Sequence, residues 1–324
     1  MKSILLFDTS VATFNTGDEI IMESIKKNWP EIYGNNYVRT FPAHTPSFRL
    51  WQFLLKKSCH EYAKADLKFI CGTNVLYTNM FRPNPVWNVF YGNTSIQEGT
   101  VCIGTGVGVN STKTTAYTKM LFRKVLSHKY IHSVRDEKTK KYLEDMGLRA
   151  CNTGCPTLWG LTPEFCQSIP TKKTNSVVFT LTGYQPDIEN DRAMIEILKS
   201  HYDNVYFWPQ SWGDISYMKS VCDSTDIKIV SPNLKGFDEI LSKDIDYVGN
   251  RLHGGIFAMQ HRCRSIIIAI DYRATEMANS YSIKCIQRKK IKEQLSDLIG
   301  SEWNTMITGL NFEKIEAWKR QFEL

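Results

Sequence analysis

The run Asn250-Arg251-Leu252-His253-Gly254-Gly255 sets a guanidinium and an imidazole beside two glycines, where an apolar strand over 246–249 meets a helix that begins near Gly254. Arg presents a planar fork of donors matched to carboxylate or phosphate, and His gives or takes a proton near neutral pH. At the carboxyl edge of a parallel sheet, beside free helix N–H groups, one short segment of this kind can hold a small phosphorylated acid and act on it. The plainer alternative is a buried Arg251 paired with a core carboxylate, with His253 as a hydrogen-bond donor at the helix start. The glycines favour the functional reading, since they would let a ligand approach the backbone.

Four further segments bear on chemistry. Asn15-Thr16-Gly17-Asp18-Glu19 follows the first strand and opens the first helix. Asp18 and Glu19 suffice as caps there; alternatively Gly17 admits a substrate close to the backbone and one carboxylate holds, or takes a proton from, a sugar hydroxyl. Gly104-Thr105-Gly106-Val107-Gly108 is shaped like a phosphate turn but lacks the dinucleotide spacing, and tight packing of chain on chain accounts for it equally well. In Ser133-Val134-Arg135-Asp136, Arg135 is either a second cation for the anion met by Arg251 or a surface residue paired with Asp136 or Glu137. In Trp208-Pro209-Gln210-Ser211-Trp212, Gln210 can reach a ligand, while the two Trp rings can stack on sugars or fill a core.

Two metal-like patterns are set aside. Asp244-Ile245-Asp246 matches the Asp-x-Asp of metal-dependent sugar transferases but lies at a strand entry, the wrong end for chemistry. His128 and His132 have ligand-like spacing, yet a helix-to-strand transition is expected between them. No metal and no cofactor is expected.

Positioning these groups requires an alternating α/β framework, and the chain supplies one. Its 324 residues are 42% apolar, 23% charged and 12% aromatic, enough for two cores. No run approaches the ~18 apolar residues that span a bilayer, and the first apolar run stops at Asp8, too soon for a secretory segment. Nine cysteines without a Cys-x-x-Cys pair fit a reducing compartment. The expected location is therefore the cytoplasm. The net charge of +7 is dispersed, which argues against nucleic acid as a partner. Its densest stretch, 119–141, reads as a helix with a solvated basic face, a pattern that would also suit peripheral contact with acidic headgroups at the inner membrane face.

Apolar strands at 3–7, 67–71, 101–104 and 130–134 alternate with helices at 18–27, 47–64, 114–127 and 137–146. A proline-marked polar stretch between 162 and 175 reads as a linker. Strands at 177–181, 205–208, 227–230, 247–249 and 265–270 then alternate with helices at 191–201, 216–223, 236–242 and 255–261. The pattern predicts two Rossmann-like, doubly wound domains, 1–165 and 175–324, facing a cleft, with a last amphipathic helix at 313–322 free to pack on either.

Taken in order, these segments resemble the polysaccharide pyruvyl transferase family. The likeness runs through Asn15-Thr16-Gly17-Asp18-Glu19, the turn from Gly104 to Gly108, Ser133-Val134-Arg135-Asp136, Thr153-Gly154-Cys155-Pro156, Pro209-Gln210, Arg251-Leu252-His253-Gly254 and Ile270-Asp271-Tyr272. The chain departs from the family pattern at Cys71-Gly72-Thr73-Asn74, where a triple glycine is usual, at Cys155, where an acidic residue is usual, and at Arg262-Cys263-Arg264, where a small residue is usual.

The resemblance implies a two-domain, GT-B-like fold and transfer of the three-carbon unit of phosphoenolpyruvate onto two hydroxyls of a sugar, giving a cyclic ketal and phosphate. It implies a phosphoenolpyruvate site at Arg251 and His253, with Arg135 as a further ligand for carboxylate or phosphate and with Leu252, Gly254 and Gly106 among the substrate-binding residues. The sugar or oligosaccharide acceptor, free or lipid-linked, would lie on the amino-terminal domain near Asn15, Gly17, Asp18 and Glu19, with Gln210 within reach. His253 would be the acid and Asp18 or Glu19 would assist the hydroxyls. The rival reading is a metal-independent GT-B glycosyltransferase with a nucleotide-sugar donor; a third is a non-catalytic binding protein for acidic sugars.

Overall fold

Ser3-Ile4-Leu5-Leu6-Phe7-Asp8 is apolar at successive positions, so both of its faces need covering, the signature of a strand inside a parallel sheet. In the computed structural model, which describes all residues except Arg49, Lys56, Pro83, Asn84 and Ser224, this segment is the first strand, β1 (Ser3–Asp8). It is followed by β2 (Tyr37–Pro42), β3 (Leu67–Cys71), β4 (Asn74–Tyr77), β5 (Val101–Ile103), β6 (Gly106–Gly108), β7 (His132–Val134) and β8 (Ala150–Asn152). The main sheet has the order β2-β1-β3-β5 with parallel pairing throughout, and β4 pairs with β6 and β7 with β8.

Alternation along β3 shows how the two faces are filled. Ile70 faces a cluster with Leu5, Phe7, Cys102, Leu121, Phe122 and Val134. Phe69 points the other way, against Trp29 and Phe322 at centroid distances of 5.5 and 5.1 Å. Trp318, from the carboxyl-terminal helix Phe312–Arg320, closes that face with its ring 5.0 Å from Trp29.

The second parallel sheet is built from β9 (Ser176–Thr180), β10 (Asn204–Phe207), β11 (Lys228–Ile229), β12 (Asp246–Gly249), β13 (Ser265–Ala269) and β14 (Cys285–Gln287). Its order, β11-β10-β9-β12-β13-β14, is that of a dinucleotide-type doubly wound sheet, and the order reverses between β9 and β12. Ligands of such sheets sit beyond the strand carboxyl ends at that reversal, here the residues after Thr180 and after Gly249.

The chain divides into two compact units, Met1–Thr13 with Ile21–Trp159 and Asn311–Leu324, and Phe14–Ile20 with Gly160–Leu310. The expected division was 1–165 and 175–324 with a last helix free to pack on either; in the structure Phe14–Ile20 groups with the second unit and the last helix with the first. Phe14–Ile20 joins the second unit because Asn15 bridges Ser211 and the Thr16 N–H donates to the Gln210 carbonyl at 2.9 Å. The last helix joins the first unit through the Trp318 packing described above.

Strands β2 and β14 escape the sequence reading because each is an edge strand with few buried positions. Of the helix expected over 47–64, the structure shows Leu50–Leu55 and Lys57–Ala63, with Arg49 and Lys56 outside the described residues. The helix expected from Gly255 starts earlier, at Leu252, which moves His253 into its first turn. Among the described residues no helix is long and apolar enough to cross a membrane.

His132, which shares a strand-turn region with His128 but not its surroundings, is fully buried in β7. Its Nδ1 accepts from the Cys102 N–H at 3.1 Å, so Nε2 carries the proton that goes to the Ser127 carbonyl at 3.0 Å. Burial pushes the imidazole down from 6.5 to about 4. A depressed folded-state value means the unfolded chain binds the proton first as pH falls. Stability from this group is therefore complete above pH 6.5 and is lost as the pH falls to about 4, by on the order of 3 kcal/mol. Denaturant titrations across that window should show the loss in the wild type and a flatter profile in His132→Gln; equal slopes would remove His132 as the cause.

Candidate functional site

Arg251 lies two residues beyond β12 and its side chain turns inward, only 7% exposed. Nη2 donates to Asp214 Oδ1 and Oδ2 at 2.6 and 2.7 Å, and Nε donates to the Leu181 carbonyl at 3.2 Å. Its backbone is fixed as well, N–H to Thr180 Oγ1 at 3.3 Å and C=O to the Tyr247 hydroxyl at 2.8 Å. Asp214 is itself fully buried and accepts from the Ser211 and Gly183 N–H groups at 2.9 and 3.2 Å. Burial raises its carboxyl above the usual carboxylate range, while the Arg251 guanidinium pulls the other way. Of the two readings of Arg251, the structure displays the paired one. Its partner, Asp214, is a residue that the sequence reading passed over.

His253 is the second residue of the helix Leu252–Gln260 and is half-buried, as is Leu252. Arg251 occupies the helix N-cap position without a side-chain cap hydrogen bond, so the first N–H groups of this helix face the strand end. Asn250 Nδ2 and Oδ1 and Thr182 Oγ1 are sealed from solvent without a hydrogen-bond partner, and both residues lie where the strand order reverses. Buried polar groups in that position are what a bound polar ligand satisfies. Asn250 had a signal in the sequence, its place at the head of the Arg-Leu-His run; Thr182 had none.

Asn15, Gly17, Gln210 and Gly254, scattered in sequence, come together. Gln210 is buried and donates through Nε2 to Asn15 Oδ1 at 3.0 Å. A Cβ added at Gly17 would sit 2.6 Å from Gln210 Nε2, and one at Gly254 3.1 Å from both Gln210 Oε1 and the Tyr247 hydroxyl. The room beside these two glycines is thus taken by the Gln210 side chain. Gly255 likewise makes room for Ile267 and Tyr247.

Asn15 Nδ2 donates to Asp18 Oδ2 at 3.2 Å, and Asn15 Oδ1 also accepts from the Gly17 N–H at 3.1 Å. Asp18 is buried and held, whereas the next carboxylate, Glu19, is exposed. Both belong with the second unit and not with the amino-terminal one, which moves the carboxylates expected beside the acceptor. Trp208 and Trp212 also part company: Trp208 is fully buried and stacked on Phe237 at 3.7 Å, while Trp212 is exposed.

In the first unit Arg135 follows β7, with its N–H on the Thr105 carbonyl at 3.0 Å and its Nε 3.4 Å from Asp136 Oδ2. Asp136 Oδ1 meanwhile caps the helix Glu137–Glu144 through the Thr139 N–H at 2.7 Å. A Cβ at Gly106 would stand 2.5 Å from Arg135 Nε and 2.5 Å from Asn74 Oδ1, so this glycine lets the guanidinium lie against the backbone. Gly104, at φ +58°, meets the Pro156 ring in the same way. Asp246 stands apart from all of this: it is buried at the start of β12 and accepts from the Tyr202 hydroxyl at 2.8 Å.

The family model for polysaccharide pyruvyl transferase matches residues 15–272, most of the chain. The chain belongs to the polysaccharide pyruvyl transferase family. That family consists of transferases, and Asn15, Asp18, Arg135, Gln210, Arg251 and His253 all lie within the match. No curated protein matches at the level of sequence. Among solved structures, the fold is similar to that of Staphylococcus aureus MnaA in its co-structure with UDP, at TM-score 0.54 and 11% identity over 100% of this chain and 97% of that one. It is also similar to UDP-GlcNAc 2-epimerase from Neisseria meningitidis bound to UDP-GlcNAc, at TM-score 0.52 and 12% identity over 99% and 100% of the two chains. A putative UDP-N-acetylglucosamine 2-epimerase from Listeria monocytogenes gives TM-score 0.53 and 10% identity over 99% and 96%. The fold class is accordingly GT-B-like α/β, with parallel sheets in both units.

Proposed function

We propose that the protein transfers the pyruvyl group of phosphoenolpyruvate to two hydroxyls of one sugar in a polysaccharide or its precursor, releasing phosphate. The observation that carries this reading is the family match across residues 15–272, within which His253 opens a helix where the strand order of its sheet reverses. In this reading a protonated His253 gives its proton to the methylene carbon of phosphoenolpyruvate, and a sugar hydroxyl adds to the adjacent carbon, losing its proton to the assisting carboxylate, which passes it to solvent, from which His253 is reprotonated. The second hydroxyl then attacks the same carbon, the C–O bond to phosphate breaks, and phosphate departs with that hydroxyl's proton. Asp18, held by Asn15, assists the hydroxyls, with exposed Glu19 as the other carboxylate at hand. Arg251, tied to Asp214, fixes the junction from which Leu252 and His253 project. Phosphoenolpyruvate carries about three negative charges at neutral pH, and the N–H groups at the start of the helix Leu252–Gln260 are the donors assigned to it.

Phosphate release from phosphoenolpyruvate, measured against a panel of neutral sugar acceptors, is the direct test. Acceptor-dependent release, with thermal stabilisation by phosphoenolpyruvate, is expected. Stabilisation by nucleoside diphosphates alone, with no release for any acceptor, would replace this reading by glycosyl transfer from a nucleotide sugar.

A further inference from the structure

Two of the largest aromatic side chains in the second unit are held out of its core. Trp212 is 83% exposed and Phe14 78%, with ring centroids 5.5 Å apart and planes tilted by 42°. Neither is on a loose tether. The Trp212 N–H donates to the Phe14 carbonyl at 3.3 Å, Asn15 forms an antiparallel bridge with Ser211, and the Thr16 N–H donates to the Gln210 carbonyl at 2.9 Å. Gly213, at φ +91°, turns the chain so that Asp214 comes back to accept from the Ser211 N–H at 2.9 Å. The same Asp214 accepts from the Gly183 N–H, which fixes the backbone next to the exposed Tyr184, whose ring lies 5.2 Å from the Arg251 guanidinium.

Packing does not require these rings to be outside. Trp208, four positions before Trp212, is fully buried. Rigidly presented, exposed aromatic faces beside a charged pair mark a binding surface. Their size and surroundings select the occupant. Two side chains offer at most ~150–250 Å² each, well short of the ~800 Å² per partner of a stable protein contact. The segments 14–20 and 208–214 carry Asp18 and Glu19, with Asp214 already paired to Arg251, and no Lys or Arg, so they offer no cation to an anionic bilayer or an acidic glycan. A neutral pyranose fits: its C–H face is apolar and lies on an aromatic ring, while its rim hydroxyls need groups such as the Ser211 hydroxyl, the Asn15 amide and the nearby carboxylates.

We infer that Phe14 and Trp212 form a stacking subsite for a neutral sugar of the acceptor chain. What becomes of that sugar rests on the pyruvyl-transfer reading; its binding does not. A ketal would add a carboxylate to a sugar held beside acidic groups, so product should leave this subsite more readily than acceptor binds it.

The test couples saturation-transfer NMR of neutral oligosaccharides on the full chain, without donor, to the phosphate-release assay. For Trp212→Ala and Phe14→Ala we expect acceptor affinity and acceptor KM to worsen by about tenfold with the KM for phosphoenolpyruvate unchanged. Trp212→Tyr, which keeps a flat face, should restore most of the loss. Oligosaccharide binding that depends on Trp212 in a protein that releases no phosphate would keep the subsite and remove the pyruvyl-transfer reading. Normal phosphate release with unchanged acceptor KM in Trp212→Ala would do the reverse. Unaltered sugar binding together with lost binding to anionic vesicles in that variant would overturn the inference in favour of a lipid contact.

Discussion

Replacing His253 by Gln is expected to slow acceptor-dependent phosphate release by ~10²–10⁴-fold, the range for loss of a positioned general acid. Gln keeps a polar side chain of similar reach in the first turn of the helix Leu252–Gln260, so the junction should stay folded. What it cannot do is deliver a proton to carbon. Phosphoenolpyruvate should therefore still raise the melting temperature of the variant, because helix N–H groups hold an anion without a titrating residue. The fall should appear in kcat and kcat/KM together, the pattern of an interaction made only in the transition state. A variant with normal kcat and a raised KM would reassign His253 to binding alone.

The second large effect is on stability. Changing Asp214 to Asn leaves the Arg251 guanidinium buried without its counter-charge, and breaking a buried pair on one side costs ~3–5 kcal/mol. In a unit of this size that corresponds to a fall in its melting temperature on the order of 10 °C. The double variant Arg251→Met with Asp214→Leu removes both charges and should recover most of the loss, because the pair's mutual attraction mainly offsets its own desolvation. Activity should not return with stability: without the Arg251 bonds to Asp214 and Leu181, the start of the helix carrying His253 loses its anchor. A melting profile for Asp214→Asn that overlays the wild type would show that the pair contributes nothing to the fold.

Much of the molecule is written in local pattern. Uninterrupted apolar runs such as Ser3 to Phe7 and Ser265 to Ile270 announce strands covered on both faces, and they recur as β1 and β13. Helix starts at Asp136 and helix ends at Gly147 follow from caps whose chemistry is local. The order of short motifs from Asn15 to Tyr272 carried the family, which the match over residues 15–272 shows. The edge strands β2 and β14 left little trace, because an edge position relaxes the demand for apolar residues that makes inner strands legible.

Partners were decided only in three dimensions. Arg251 and Asp214 are separated by 37 residues, and nothing in either neighbourhood says that β9, β10 and β12 will bring them together. The glycines at 17 and 254 read as open backbone until Gln210 is seen filling the space beside both. Trp208 and Trp212 look alike in sequence, yet one stacks in the core and the other faces solvent. Residues 14–20 precede most of the first unit in the chain but bond to the second. Periodicity along a chain encodes which side of an element is apolar; it does not encode which distant element meets that side. The sheet order, a non-local property, sets those meetings and with them which charges are matched and which rings remain exposed.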